Sequence, residues 1–162
     1  NPADAVPCIA LEGQYFSESL AIIEWLEERY PEVPLYPESS LDRLYVRQLA
    51  FTISCGVQPL QNLRTQKKFS DNPEQRRKWA HYWIEQGLQT FESLLEGQNN
   101  RDSRYSFSDR LTVADLCLIP QCYNALRFDV DLNQFPKIKK IYEYCRETKS
   151  CQKAAPESFG LD

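Results

Sequence analysis

Apolar side chains recur along this chain in two different rhythms, and the change between them divides it. Val6-Pro7-Cys8-Ile9-Ala10-Leu11 reads as a short strand. Glu12-Gly13 has turn chemistry and Gln14-Tyr15-Phe16 returns, which together predict a β-hairpin. After Ser17-Glu18-Ser19, the positions Leu20, Ile22, Ile23, Leu26 and Tyr30 fall at helical spacing, and Pro31 stops the helix. Two short strands and one helix bury too little surface to stand alone, so residues 1–31 predict the C-terminal part of a larger α/β unit.

Pro31, Pro34 and Pro37, with Glu and Ser between them, predict a stiff extended linker, bounded as residues 32–41. From residue 42 to 162 the apolar period is helical throughout. Leu44, Val46, Leu49, Ile53, Val57, Leu60 and Leu63 predict one helix over 42–69, kinked where Gly56 and Pro59 interrupt it. Asn72-Pro73-Glu74-Gln75 opens the next helix: Asn72 caps, Pro73 takes the first helical position, and Gln75 is placed to reach back. That helix runs through Trp79, Trp83, Ile84, Leu88, Phe91 and Leu95 to Gly97, and a polar loop follows over 98–110.

Thr112-Val113-Ala114-Asp115 has the spacing of a reciprocal cap, with Leu111 and Leu116 placed as a hydrophobic staple. The helix behind it is the most apolar of the chain and is expected at the centre of a bundle. Phe135-Pro136 opens one more helix with Ile138, Ile141, Tyr142 and Cys145 on one face. The fold class is therefore α+β and mostly helical: the C-terminal part of an α/β domain, then an all-α domain.

Composition narrows the function. Nineteen Lys and Arg against 23 Asp and Glu give a net charge of −4, without the basic surplus of a nucleic-acid binder. No apolar run approaches the roughly 20 residues of a membrane span. The six cysteines lack the spacing of a redox or zinc motif, and the single histidine, His81, leaves no His cluster for a metal. With no signal peptide in view, the cysteines read as reduced and the protein as cytoplasmic. The chain opens on Asn1-Pro2 and contains no Met, which reads as a start inside a longer protein or an incomplete record.

Several residues are open to a structural and a chemical reading. Glu18 and Ser19 at a helix start are a cap, or a site for an amino-acid head group. In the second case the first amides and the Ser19 hydroxyl take a carboxylate, and Glu18 takes an ammonium. Gln58, Gln61 and Asn62 around Pro59 satisfy carbonyls freed by the kink, or line a cleft. Arg127 complements a helix C-terminus, or binds an anionic substrate. His81 reads as a surface residue without a role, Thr112 and Asp115 as structural. Val6-Pro7, taken alone, reads as an ordinary trans strand start.

Taken together, the Val-Pro strand, Glu-Ser-Leu-Ala-Ile-Ile-Glu-Trp-Leu, the Pro-bearing linker and Thr-Val-Ala-Asp-Leu resemble the glutathione transferase family across nearly the whole chain. Gly56-Val57-Gln58-Pro59-Leu60-Gln61-Asn62-Leu63, Cys117-Leu118-Ile119-Pro120-Gln121 and Asn124-Ala125-Leu126-Arg127-Phe128 resemble its zeta class, the maleylacetoacetate isomerases. The resemblance implies a thioredoxin-like glutathione-binding unit over 1–31 and a helical transferase domain over 42–162. It implies a cis Val6-Pro7 bond, and glutathione bound by Val6, Pro7, Glu18, Ser19, Gln58, Asn62, Leu63 and Arg64.

Arg64 and Glu18 stand where that class commonly has Ser and Gln. The implied activity is glutathione-dependent cis–trans isomerisation of a double bond conjugated to carbonyls, with room for conjugation of small α-halo acids. Glutathione acts as a cofactor that returns unchanged, and the substrate is a small dianion met by Arg127. The implied assembly is a homodimer. The thiolate-activating motif is expected upstream of Asn1, so no residue here is assigned that role and the chain by itself is expected to be inactive. Ser39-Ser40, which lies beyond the α/β unit, is not a substitute. Two alternatives stand beside this reading: a general transferase of another class, and a non-catalytic protein with the transferase fold.

Overall fold

The computed structural model describes residues 4, 6–97 and 103–160, so Asn1-Pro2 and the first part of the 98–110 loop lie outside the described residues. The hairpin forms as β1 (Cys8–Leu11) and β2 (Gln14–Ser17), antiparallel, with Cys8 opposite Ser17 and Leu11 opposite Gln14. Glu12 and Gly13 both take positive φ, 49° and 76°, the backbone a two-residue turn needs to match strand twist. Helix α1 (Ser19–Arg29) follows. No described residue before Tyr36 is fully buried, so this unit has no core of its own and leans Leu20 and Ile23 on the helical one.

The linker is tied down more firmly than proline stiffness requires. Both Glu27 carboxylate oxygens, on α1, accept from the chain, at 2.7 Å from Leu35 N and 3.3 Å from Tyr36 N. Tyr36 is 5% exposed and belongs to the helical core. The next helix, α2 (Ser40–Ser54), starts two residues earlier than the apolar pattern predicts, because Ser39 caps it by accepting from Asp42 N.

The predicted single kinked helix over 42–69 is instead three: α2, the one-turn α3 (Gln58–Gln61) and α4 (Leu63–Phe69). Pro59 starts a new helix instead of bending the old one, since it has no amide to continue the ladder. At Gly56 a Cβ would stand 2.6 Å from the Thr52 carbonyl oxygen, so the chain turns there only as glycine. Helix α5 (Pro73–Gly97) crosses this break closely: a Cβ on Gly87 would collide with a methyl of buried Val57.

The cap of α5 differs from the expected one. Asn72 Oδ1 accepts from Glu74 N at 2.8 Å and Gln75 N at 3.3 Å. Gln75 does not return to the Asn72 amide. The Ser70 hydroxyl stands between them, accepting from Asn72 N at 3.0 Å and donating to Gln75 Oε1 at 2.6 Å.

Helix α6 (Val113–Arg127) is the buried centre, packed against α2, α5 and α7 (Pro136–Glu147). Its capping box forms as the spacing predicts. Asp115, fully buried, accepts from Thr112 N at 2.8 Å, Thr112 Oγ1 at 2.9 Å and Ser106 N at 2.7 Å. The short α8 (Lys149–Ala154) and a 3₁₀ turn at Pro156–Phe159 are the last described elements. No described helix is long and apolar enough to cross a membrane.

Candidate functional site

The residues singled out for glutathione fall on two bodies, the hairpin with α1 and the break between α2 and α5, and Arg127 lies apart from both at the end of α6. On the first, the Val6-Pro7 bond is cis and Val6, two residues ahead of β1, is 92% exposed. Glu18 precedes α1 with φ 77° and ψ 112°, a conformation L side chains rarely take. Strain of this kind costs about 1–3 kcal/mol and concentrates where function holds it in place. Glu18 makes no side-chain cap, and no acidic residue lies in the first turn. The first amides of α1 are thus open, with the exposed Glu18 carboxylate and the exposed Ser19 beside them. This arrangement suits a zwitterion: amides and a hydroxyl for a carboxylate, and a carboxylate for an ammonium.

On the second body, the carbonyls freed by the helix break are not satisfied by the amide side chains considered for that task. Thr65 Oγ1 donates to Pro59 O at 2.6 Å, Trp79 Nε1 to Leu60 O at 2.8 Å, and Gln66 Nε2 to Gln61 O at 2.6 Å. Gln61 is released for another bond. Its side chain pairs with that of Gln121 in both directions, at 2.7 and 3.0 Å, and its Oε1 also accepts from Asn124 Nδ2 at 2.8 Å. This network ties α3 to α6, and sequence reasoning missed it. The available signal was Gln121, a polar residue in the most apolar helix, which the structure leaves only 1% exposed.

Gln58 is half-buried on the first turn of α3, and Leu63 is exposed at the start of α4. Asn62 caps α4 by accepting from Arg64 N at 2.9 Å. Arg64 reaches across to the other body, donating to the Asp4 carbonyl at 2.6 Å and its carboxylate at 3.3 Å. It therefore joins the segment ahead of Val6 to the helix break. Arg47 with Glu24, at 3.8 Å, makes a second such join.

Arg127 is the last residue of α6, one turn beyond Asn124 and on the same face. It is exposed, and among the described residues nothing pairs with its guanidinium. His81, read from the sequence as a surface residue without a role, has a partner. It is half-buried, with Nδ1 2.8 Å from the Phe128 carbonyl oxygen just past Arg127. A groove of about 810 Å³ lies elsewhere, between α6 and the segment after α7, with Leu116, Ile119, Tyr123 and Cys151 among its walls. None of the residues predicted for the site lines it. Burial pushes the Cys117 and Cys145 thiols up to about 12, which removes them as nucleophiles.

Comparison with known proteins gives a consistent picture. Residues 1–34 match the family model of the glutathione S-transferase N-terminal domain, and residues 59–153 that of its C-terminal domain. A probable maleylacetoacetate isomerase of Vibrio cholerae is 35% identical over 163 residues, covering 98% of this chain and 74% of that protein. The holo structure of a bacterial maleylpyruvate isomerase, described as a zeta-class glutathione S-transferase, superposes with a TM-score of 0.91. It is 38% identical, over 98% of this chain and 76% of that one. The maleylacetoacetate isomerase of Anaeromyxobacter dehalogenans, with glutathione bound in its active site, superposes at 0.87 with 36% identity, covering 97% and 74%.

Proposed function

Since the chain belongs to the glutathione S-transferase family, in its zeta class, we propose that it is a glutathione-dependent cis–trans isomerase of the maleylacetoacetate type. The observation that carries the reading is the open start of α1, where Glu18 at φ 77° leaves the helix uncapped beside its own carboxylate. That pair of opposite polarities fits the γ-glutamyl head of glutathione, and named relatives with this fold are isomerases. When bound, glutathione supplies a thiolate able to add reversibly to an activated double bond.

In this reading the α1 amides and Ser19 take the γ-glutamyl carboxylate, and Glu18 takes its ammonium. The backbone of Val6, set by Pro7, offers a strand edge to the cysteinyl unit. Gln58, Asn62, Leu63 and Arg64 form the border toward the helices. Arg127 takes a carboxylate of the dianionic substrate. It holds that charge in place while electron density moves toward the conjugated carbonyl. The protein works as a homodimer, supported by the apolar row left exposed on α2 at Leu41, Leu44 and Phe51.

The experiment is an isomerase assay of the full protein on a maleylacetoacetate-type substrate, with and without glutathione. Turnover is expected only with glutathione present. A desolvated carboxylate gains about 1.5–3 kcal/mol from a charged partner, so Arg127→Ala is expected to lower kcat/KM for the dianion roughly ten- to hundredfold. Arg127→Lys, which keeps charge but loses the fork, is expected to fall between. Conjugation of a neutral electrophile is expected to fall far less. Equal loss on every substrate would make Arg127 a structural residue of its helix end and move the anion site to another cation.

A further inference from the structure

The C-terminus of α6, the turn that carries Arg127, is closed by its own backbone and by side chains of α5. The backbone closes two of the last four carbonyls. Val130 N donates to Ala125 O at 3.0 Å and Asp129 N to Leu126 O at 3.2 Å, the Schellman pattern. The left-handed position after the helix, normally glycine, is Asp129 at φ 60°. The other two carbonyls, of Arg127 and Phe128, have no amide left to bond. Both take side chains from α5, one turn apart. Arg77 Nη2 donates to Arg127 O at 2.9 Å, and His81 Nδ1 stands 2.8 Å from Phe128 O. Arg77 also binds the Asp129 carboxylate through Nε at 3.1 Å and through Nη2, and its guanidinium lies 5.7 Å from the centre of the Phe128 ring. Asp129 thereby gives a partner to the cation that holds the helix end, a role glycine has no side chain to fill.

We infer that Arg77 and His81 are positioning residues for substrate binding. By holding the Arg127 and Phe128 carbonyls they fix the last turn of α6, and with it the direction from which the Arg127 guanidinium meets an anionic substrate. The inference rests on the role proposed for Arg127. A helix end capped only by its own backbone frays within its last turn, and a frayed turn spreads Arg127 over many orientations. A fork–carboxylate contact loses strength when its geometry is spread. Arg77 acts through Arg127 and needs no contact with substrate: its Nε and Nη2 are spent on the Asp129 carboxylate and Arg127 O.

The test is a double-mutant cycle on the full protein with a dianionic cis-alkene as substrate. Each form is measured per glutathione-binding site so that unfolded material does not count. Arg77→Ala is expected to raise KM for the dianion and lower kcat/KM about tenfold. In the Arg127→Ala background the same change is expected to cost less than twofold, because the residue it orients is gone. Arg77→Lys, which keeps one donor, is expected to recover part of the loss. His81→Gln, which keeps a donor near the Phe128 carbonyl, is expected to act more gently than His81→Leu. Equal losses in both backgrounds would overturn the inference, since Arg77 would then serve general stability. Full activity of Arg77→Ala would overturn it as well. A null effect of Arg127→Ala alone would instead remove the proposed role of Arg127, and this inference with it.

Discussion

Asp115 shows how much one buried carboxylate does in this fold. It receives three donors, from Thr112 N, Thr112 Oγ1 and Ser106 N, and so joins the start of α6 to the loop ahead of it. Burial pushes its carboxyl above the ordinary range, and the bonds from Ser106 and Thr112 oppose that. A raised carboxyl favours the folded state most below the unfolded value of about 4, and this contribution is lost as pH rises through the folded value. Asp115→Asn puts an amide donor against one of the three donors and is expected to cost about 1–3 kcal/mol. The sign of the shift adds a second expectation. The stability gap between the parent and Asp115→Asn is widest near pH 4 and narrows toward neutrality. Urea titrations of both forms at several pH values measure it, and a gap that widens with pH would contradict the shift.

Among the elements, two helix ends, the start of α7 and the end of α6, are closed by side chains of another helix, α5. Helix α7 begins at Pro136 with no side-chain cap from Phe135. Glu92, on α5 and only 2% exposed, supplies the missing acceptors: Oε1 for Lys137 N at 2.8 Å and Oε2 for Ile138 N at 2.9 Å. A carboxylate at a helix N-terminus also meets the positive end of its dipole. Glu92→Gln keeps the shape but turns one acceptor into a donor facing an amide. It is expected to lower stability by about 1–3 kcal/mol. Amide exchange should accelerate first at Ile138 and its neighbours in α7, while the β1–β2 hairpin and α1 are unchanged. Uniform acceleration across the chain would show that Glu92 does not act on α7 in particular.

For the whole molecule, the face of α2 turned away from its core is unusual for a helix so well packed on its other side. Val46, Leu49, Ala50 and Ile53 are fully buried, whereas Leu41 is 72%, Leu44 63% and Phe51 43% exposed along one line. An apolar row of this kind on a folded chain marks an interaction surface, and a twofold partner is the simplest occupant. Replacing Leu44 and Phe51 together by Glu is expected to halve the solution mass measured by sedimentation while leaving the helical content intact. A parent protein that already sediments as a monomer, or a double variant that stays dimeric, would move the interface elsewhere.

The elements came from local chemistry that any environment would respect. The hairpin follows from Gly13, which accepts positive φ, and the start of α6 from Thr112 and Asp115 three residues apart. The centrality of α6 follows from an apolar surface that nothing else could shield. The family was legible for a related reason: stretches such as Gln58-Pro59-Leu60-Gln61-Asn62 and Cys117-Leu118-Ile119-Pro120-Gln121 carry break and burial together in one run. Pairings made at long range were not legible. A glutamine at position 61 reads the same whether it meets water or Gln121. His81 reads as surface until Phe128 arrives beside it. Arg77 reads as one more charge on an exposed face. Hydrogen bonds such as these join residues some 45 to 60 positions apart. Their partners are chosen by which helices cross and at what distance, as where Gly87 admits Val57. Local propensity sets the helices, but only their packing decides which polar groups lose water together and must then satisfy one another.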